Sequence, residues 1–130
     1  MRLIQIAQRA VDLERATAFY TGLLGTAPTA AFDPPGLVFF DLDGVRLLLE
    51  KGAPSAVLYL AVEDIHAVID GQRSAGTTIL GEPHVIFTHR DDALGPAGTE
   101  EWQAFLTDSE GNTVGLVEHR RISDEGRLSS

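Results

Sequence analysis

Four side chains stand out for the chemistry their type and setting allow. Gln5 lies inside the apolar run Leu3-Ile4-Gln5-Ile6-Ala7, where an amide must find hydrogen-bond partners. It can hold a substrate carbonyl or hydroxyl, or it can satisfy backbone groups. His84 follows Pro83 and opens an extended segment. Its imidazole titrates in the range suited to general acid–base work, and a solvent-facing strand-end histidine is the plain alternative. Trp102, the only tryptophan, resumes a strand after the polar stretch from Arg90 to Thr99. That stretch exceeds an ordinary hairpin loop and suits a lid over a cleft. Trp102 is then a stacking platform for a ligand or a core residue. Arg9 shares strand parity with Gln5 and Ala7, so it can meet an anion on the same face or form a surface ion pair. Arg46 has the opposite parity to Leu47 and is expected to point away from that face. His66, beside two acids, His89, at a loop start, and His119, near the end, read as solvent-facing.

Composition removes several classes of function. The chain of 130 residues has no cysteine, which excludes disulfides, thiol catalysis and thiolate metal sites. Its 10 Lys and Arg stand against 19 Asp and Glu, a formal charge of −9. No basic stripe offsets that field, so a nucleic-acid partner is not expected. Hydrophobic residues at 44% and charged residues at 22% fit a folded domain, neither disordered nor membrane-spanning. Met1 runs straight into an apolar segment, and without a leader-like or spanning stretch the expected location is cytoplasmic. Phosphate-binding glycine loops, nucleophile elbows and metalloprotease helices are missing, and Ser55, Ser74 and Ser109 lie in breakers or turns.

The elements that must position these residues follow from periodicity. Leu3 to Ala7 reads as a strand. Asp12 is a natural N-cap for a helix whose Leu13, Ala16, Phe19, Tyr20, Leu23 and Leu24 fall at helical spacing, and Gly25 closes it. The face of Leu13, Ala16, Phe19 and Leu23 is expected to be buried. Strands at Thr29–Asp33, Leu37–Leu42 and Val45–Glu50 come next, the last pair joined by the hairpin turn Asp43-Gly44. After the breaker Lys51-Gly52-Ala53-Pro54-Ser55, Val57–Val62 is a strand and Glu63-Asp64 opens a helix running to Gly76. His84–Thr88, Trp102–Thr107 and Thr113–Glu118 complete the set, with a turn at Asp108-Ser109-Glu110-Gly111-Asn112.

The order strand, helix, strand, strand, strand thus occurs twice. Val11-Asp12-Leu13 matches Val62-Glu63-Asp64-Ile65, and Phe40-Asp41-Leu42-Asp43-Gly44 matches Phe105-Leu106-Thr107-Asp108 with Gly111. The reading is α+β: two tandem βαβββ modules forming a cupped, mostly antiparallel mixed sheet, with helices on its outer face. The modules span 1–51 and 56–120, with a linker at 52–55 and a frayed tail at 121–130.

The run Asp12-Leu13-Glu14-Arg15-Ala16-Thr17-Ala18-Phe19-Tyr20 through Leu23-Leu24-Gly25, together with Asp108-Ser109-Glu110-Gly111-Asn112, resembles the vicinal-oxygen-chelate superfamily. Glyoxalases, bleomycin-resistance proteins, extradiol dioxygenases and methylmalonyl-CoA epimerases belong to it. The resemblance covers residues 3 to 119 and implies fold more than reaction. Metal-using members hold one divalent ion with four strand residues. Those positions fall here on Gln5, Leu47, Val57 and Gly115, of which Gln5 alone can ligate. Glu50 and Glu118 lie three residues past ligand positions and are expected on the opposite face.

The resemblance therefore implies a cleft of the family's shape without its metal and with no cofactor. The expected function is binding or sequestering a small organic ligand, in the manner of bleomycin-resistance proteins. An acidic protein attracts cationic ligands of that kind. The alternative is a lyase or isomerase, glyoxalase-like or epimerase-like, acting on a small oxygenated substrate. Gln5 and His84 would be its polar catalysts, or Gln5, Glu50 and Glu118 would be rearranged as metal ligands. Ligand-binding positions are Gln5, Ala7, Arg9, Leu47, Val57, Tyr59, His84, Trp102 and Gly115, with Gln5 and His84 bordering one cavity. A homodimer is expected, because many superfamily members dimerise and an open sheet edge invites it.

Overall fold

The computed structural model describes residues 1–122. Among them, β1 (Gln5–Arg9), α1 (Leu13–Leu24), β2 (Ala30–Phe32), β3 (Leu37–Leu42) and β4 (Val45–Glu50) form the first group. The second comprises β5 (Leu58–Ala61), α2 (Ile65–Ser74), β6 (Ile79–His89), β7 (Thr99–Thr107) and β8 (Thr113–Arg121). Each group builds one four-stranded sheet with the same plan, β1-β4-β3-β2 and β5-β8-β7-β6. The protein is α+β. The expected tail lies outside the described residues from 123 onward, and β8 itself reaches Arg121.

Among the described residues the chain forms two compact units, residues 1–57 with 107–113, and residues 58–106 with 114–122. The turn after β7 is therefore part of the first unit. In that unit β1 runs parallel to β4, while β4/β3 and β3/β2 are antiparallel. The Asp12 side chain accepts from the Arg15 amide and starts α1, and Gly25 ends it at φ 71°, a conformation that costs glycine little. Asp43 and Gly44 both take positive φ, 54° and 93°, as the predicted tight hairpin requires.

The helix-facing side of this sheet carries Phe40, Leu47 and Leu49, all buried. From α1 the buried residues are Ala16 and Tyr20. Tyr20, rather than Phe19, is the fully buried aromatic, and Phe19 packs edge-on against it at 5.3 Å. Of the expected face Ala16 is buried and Leu13, Phe19 and Leu23 are half-buried. Phe19 and Tyr20 both fit the helical period, and it is Tyr20 that takes the core position. In the second unit, Ile65 and Ile69 of α2 are buried, as are Leu58, Ala104, Leu106, Val114 and Leu116. Asp64 caps α2 by accepting from the Ala67 amide.

Candidate functional site

The first unit holds a pocket of about 470 Å³ whose lining includes Gln5, Ala30, Phe32, Phe39, Asp41 and Arg46. Pairing register builds it. Gln5 stands opposite Arg46, and Arg46 opposite Asp41, so these polar side chains share one face. Ala30 is paired with Phe39 and Phe32 with Leu37, which puts the aromatic residues on that face too. Phe32 meets Phe39 edge-on at 6.0 Å. The Arg46 guanidinium lies 6.0 Å from the centre of the Phe39 ring, and its Nε donates to Gln5 Oε1 at 2.9 Å. The result is an apolar, aromatic wall with a few fixed polar groups at one end, the general make-up of a small-molecule site.

Register also corrects the sequence-based choice of face. Leu47 is paired with Ile6 and Phe40 and is buried beneath the sheet, so Arg46, not Leu47, accompanies Gln5. Ala7 and Arg9 do share the Gln5 face, paired with Leu48 and Glu50. Glu50 is thus on the Gln5 side after all, contrary to expectation. It is four residues along β4 from Arg46, about 13 Å at strand rise, and stands beside Arg9 rather than Gln5. Val57 precedes β5 and is exposed.

The remaining predicted positions belong to the second unit. His84 is exposed on β6, paired with Gln103, and its Nδ1 donates to the Glu82 carbonyl at 2.9 Å. Trp102 shares a strand face with the buried Ala104 and Leu106. Its ring is covered by the Arg120 guanidinium at 4.4 Å and met by His66 at 5.2 Å. Gly115 is paired with Tyr59. A Cβ at Gly115 would come within 2.8 Å of the Tyr59 ring and 3.0 Å of Phe105. Tyr59 is 57% exposed as a residue, and its ring stands where a longer side chain at 115 would begin. Glu118 accepts from the Ile65 amide at 2.9 Å and from Arg120 Nε at 2.9 Å, so its carboxylate is committed to the start of α2.

Three features escaped the sequence reading. Arg46 was assigned to the other face. Gln8 is fully buried, its amide donating to the Ala56 carbonyl at 3.0 Å and accepting from the Ala56 amide at 2.7 Å. His89 closes β6 and is 3% exposed, not free in a loop. Its Nε2 lies 2.7 Å from Glu101 Oε1, and His119 Nε2 lies 3.2 Å from the same oxygen. Burial raises the Glu101 pKa, but the Gln103 amide and the two imidazoles outweigh it and hold the carboxyl below its ordinary value. A buried histidine beside a carboxylate has no signature in a single sequence.

The family model of the Glyoxalase/Bleomycin resistance protein/Dioxygenase superfamily matches residues 2–116. The chain belongs to this superfamily. Similar solved structures include TnmS3, an antibiotic binding protein from Streptomyces sp. CB03234, at 19% identity and a TM-score of 0.71, covering 92% of this chain and 96% of that one. Lactoylglutathione lyase from Agrobacterium tumefaciens is 21% identical with a TM-score of 0.64, covering 90% and 92%. A superfamily member from Sphaerobacter thermophilus DSM 20745 is 21% identical with a TM-score of 0.68, covering 91% and 97%. No curated protein is similar enough to count as a match. At these identities the likeness establishes the glyoxalase fold, and reaction must be argued from this chain's own residues. No helix among the described residues is long and apolar enough to cross a membrane.

Proposed function

We propose that this superfamily member binds or sequesters a small organic molecule in a metal-free cleft. The observation that carries the reading is the Gln5–Arg46 pair. In metal-using relatives the first-strand ligand position serves a divalent ion. Here Gln5 Oε1 accepts from a guanidinium at 2.9 Å, and a fixed cation beside that oxygen repels a second one. Two further residues support the same reading. Gly115 offers no ligand atom and is faced by the Tyr59 ring, and Glu118 is held by the Ile65 amide and Arg120.

The ligand this face suits has a flat apolar body and an oxygen acceptor. Phe32 and Phe39 offer ring surface, while Gln5 and Arg46 offer N–H donors that favour a carbonyl or carboxylate. TnmS3, similar in fold, is itself described as an antibiotic binding protein. A homodimer is part of the proposal and is tested by sedimentation.

The decisive experiment titrates the protein with a panel of aromatic ketones and carboxylates, reading thermal stabilisation with and without a chelator. Binding that tolerates the chelator and weakens about tenfold or more in Arg46→Ala, through loss of a charge-assisted bond, is the expected result. Saturable binding that Gln5→Ala and Arg46→Ala both leave untouched would refute the assignment. Chemical turnover of a bound compound would replace it with a lyase or isomerase.

A further inference from the structure

A second constellation lies in the other unit. His89 ends β6, Glu101 sits in β7 and His119 in β8. Both imidazole Nε2 atoms approach the single oxygen Glu101 Oε1, at 2.7 and 3.2 Å. The three potential ligand atoms all lie within 4.8 Å of one another. Donors about 2.0–2.1 Å from a zinc-like ion are separated by roughly 3.0–3.4 Å, so a small outward movement of the rings makes room for one. The other carboxylate oxygen, Oε2, accepts from Gln103 Nε2 at 2.7 Å. This fixes the carboxylate's rotation and leaves Oε1 for the imidazoles, as an outer hydrogen bond does at metal sites. His89 is buried, with its ring against Phe87 at 4.9 Å and His119 at 5.2 Å.

An independent observation comes from the backbone over the cluster. A Cβ built at Gly95 would fall 2.8 Å from His89 Cε1 and 2.9 Å from both Nε2 atoms. The loop between β6 and β7 therefore passes directly across the donor nitrogens. A residue without a side chain keeps the space beside them clear. Gly95 is not among the glycines with positive φ, so this space, rather than backbone conformation, is what the missing side chain provides.

We infer that His89, Glu101 and His119 bind one divalent transition-metal ion of the zinc class. Two imidazoles and a carboxylate match that ion's borderline softness, and three protein ligands leave a position for water. His119, 30% exposed at its side chain, gives the ion a route from solvent. The site is separate from the family's ligand positions and does not depend on the proposed ligand cleft. A second group, Asp64, His66 and Glu118, is also close together, but its atoms are in use. Asp64 caps α2, Glu118 takes the Ile65 amide, and the Arg120 guanidinium bonds Glu118 and lies 3.4 Å from His66 Nδ1. A fixed cation already stands there, which makes His66 a suitable control.

The test is calorimetric titration of the full chain with zinc chloride, together with histidine ¹⁵N spectra. One ion per chain is expected, with the Nε2 signals of His89 and His119 shifting and that of His66 unmoved. His119→Ala should weaken binding about tenfold or more, while His66→Ala leaves it unchanged. Gly95→Ala, which alters no ligand, should also weaken it by placing a methyl on the donor nitrogens. Far-UV circular dichroism verifies that each variant is folded. Absence of saturable uptake at millimolar zinc overturns the inference, as does binding that survives His119→Ala or is lost in His66→Ala. Gln5→Ala and Arg46→Ala should leave zinc uptake intact, so failure here is distinguishable from failure of the ligand cleft.

Discussion

The Tyr20 hydroxyl donates to Asp108 Oδ2 at 2.6 Å, joining two buried residues 88 positions apart. Burial and then the Asp108 carboxylate push the Tyr20 pKa far upward, so the hydroxyl stays protonated as a donor. Asp108 also accepts from the backbone amides of Glu110 and Asn112 and from the Asn112 side chain. Tyr20→Phe should therefore cost about 1–3 kcal/mol, at the lower end because three bonds to Asp108 survive. Urea titration of the two proteins measures the difference, and a loss near zero would show the bond to be energetically idle.

Acid should loosen the first unit through Glu110. Burial pushes its carboxyl upward, but Arg15, the Asp12 amide and the Ser109 hydroxyl overcome that and hold it at about 2, below the ordinary 4.5. A carboxyl depressed in the folded state contributes stability above its unfolded pKa and loses it as pH falls through the folded one. Stability should accordingly decline from about pH 5 toward pH 2. Glu110→Gln should flatten that slope in a pH series of urea titrations, and an unchanged slope would assign the acid sensitivity elsewhere.

Gly115→Ala should destabilise the second unit by about 1–3 kcal/mol, the usual range for overpacking, since its methyl meets Tyr59 and Phe105. Tyr59 is half-exposed as a residue and its ring can swing aside, whereas Phe105 cannot as readily. In a Tyr59→Ala background the same substitution should therefore cost less. A double-mutant cycle with no coupling would contradict the contact.

Gln8→Ala should cost about 1–3 kcal/mol, because it leaves both polar groups of Ala56 without their partner. Hydrogen exchange at the Ala56 amide should accelerate more than at amides within α1. Equal acceleration everywhere would mean global destabilisation only.

Much of the fold was legible because its punctuation is local. Asp12, Gly25 and Asp43-Gly44 are each read from their own chemistry, and the duplicated order follows once Glu63-Asp64 and the turn at 108–112 are read beside them. The site was harder, for reasons visible in β4. Leu47, Leu48 and Leu49 are all buried, so the strand has no alternation by which to tell one face from the other. Only its register with β1 puts Arg46 beside Gln5. β6 posed a different problem: register shifts interrupt its pairing with β7, and it runs to His89, past where a uniform strand pattern ends. Without that extension the meeting of His89, Glu101 and His119 has no trace in sequence spacing.

The turn after β7 belongs to the first unit, and that has a consequence for how such a gene can recombine. Asp108, Glu110 and Asn112 supply the partners of Tyr20, Arg15 and the Arg9 carbonyl. All three are encoded downstream of the linker at 52–55. A crossover at that linker would replace them with a foreign turn while retaining the residues they serve. Exchange of halves between related genes therefore keeps these bonds only where the incoming turn carries the same three side chains. Apparent modularity in the sequence conceals an inherited dependence between its ends.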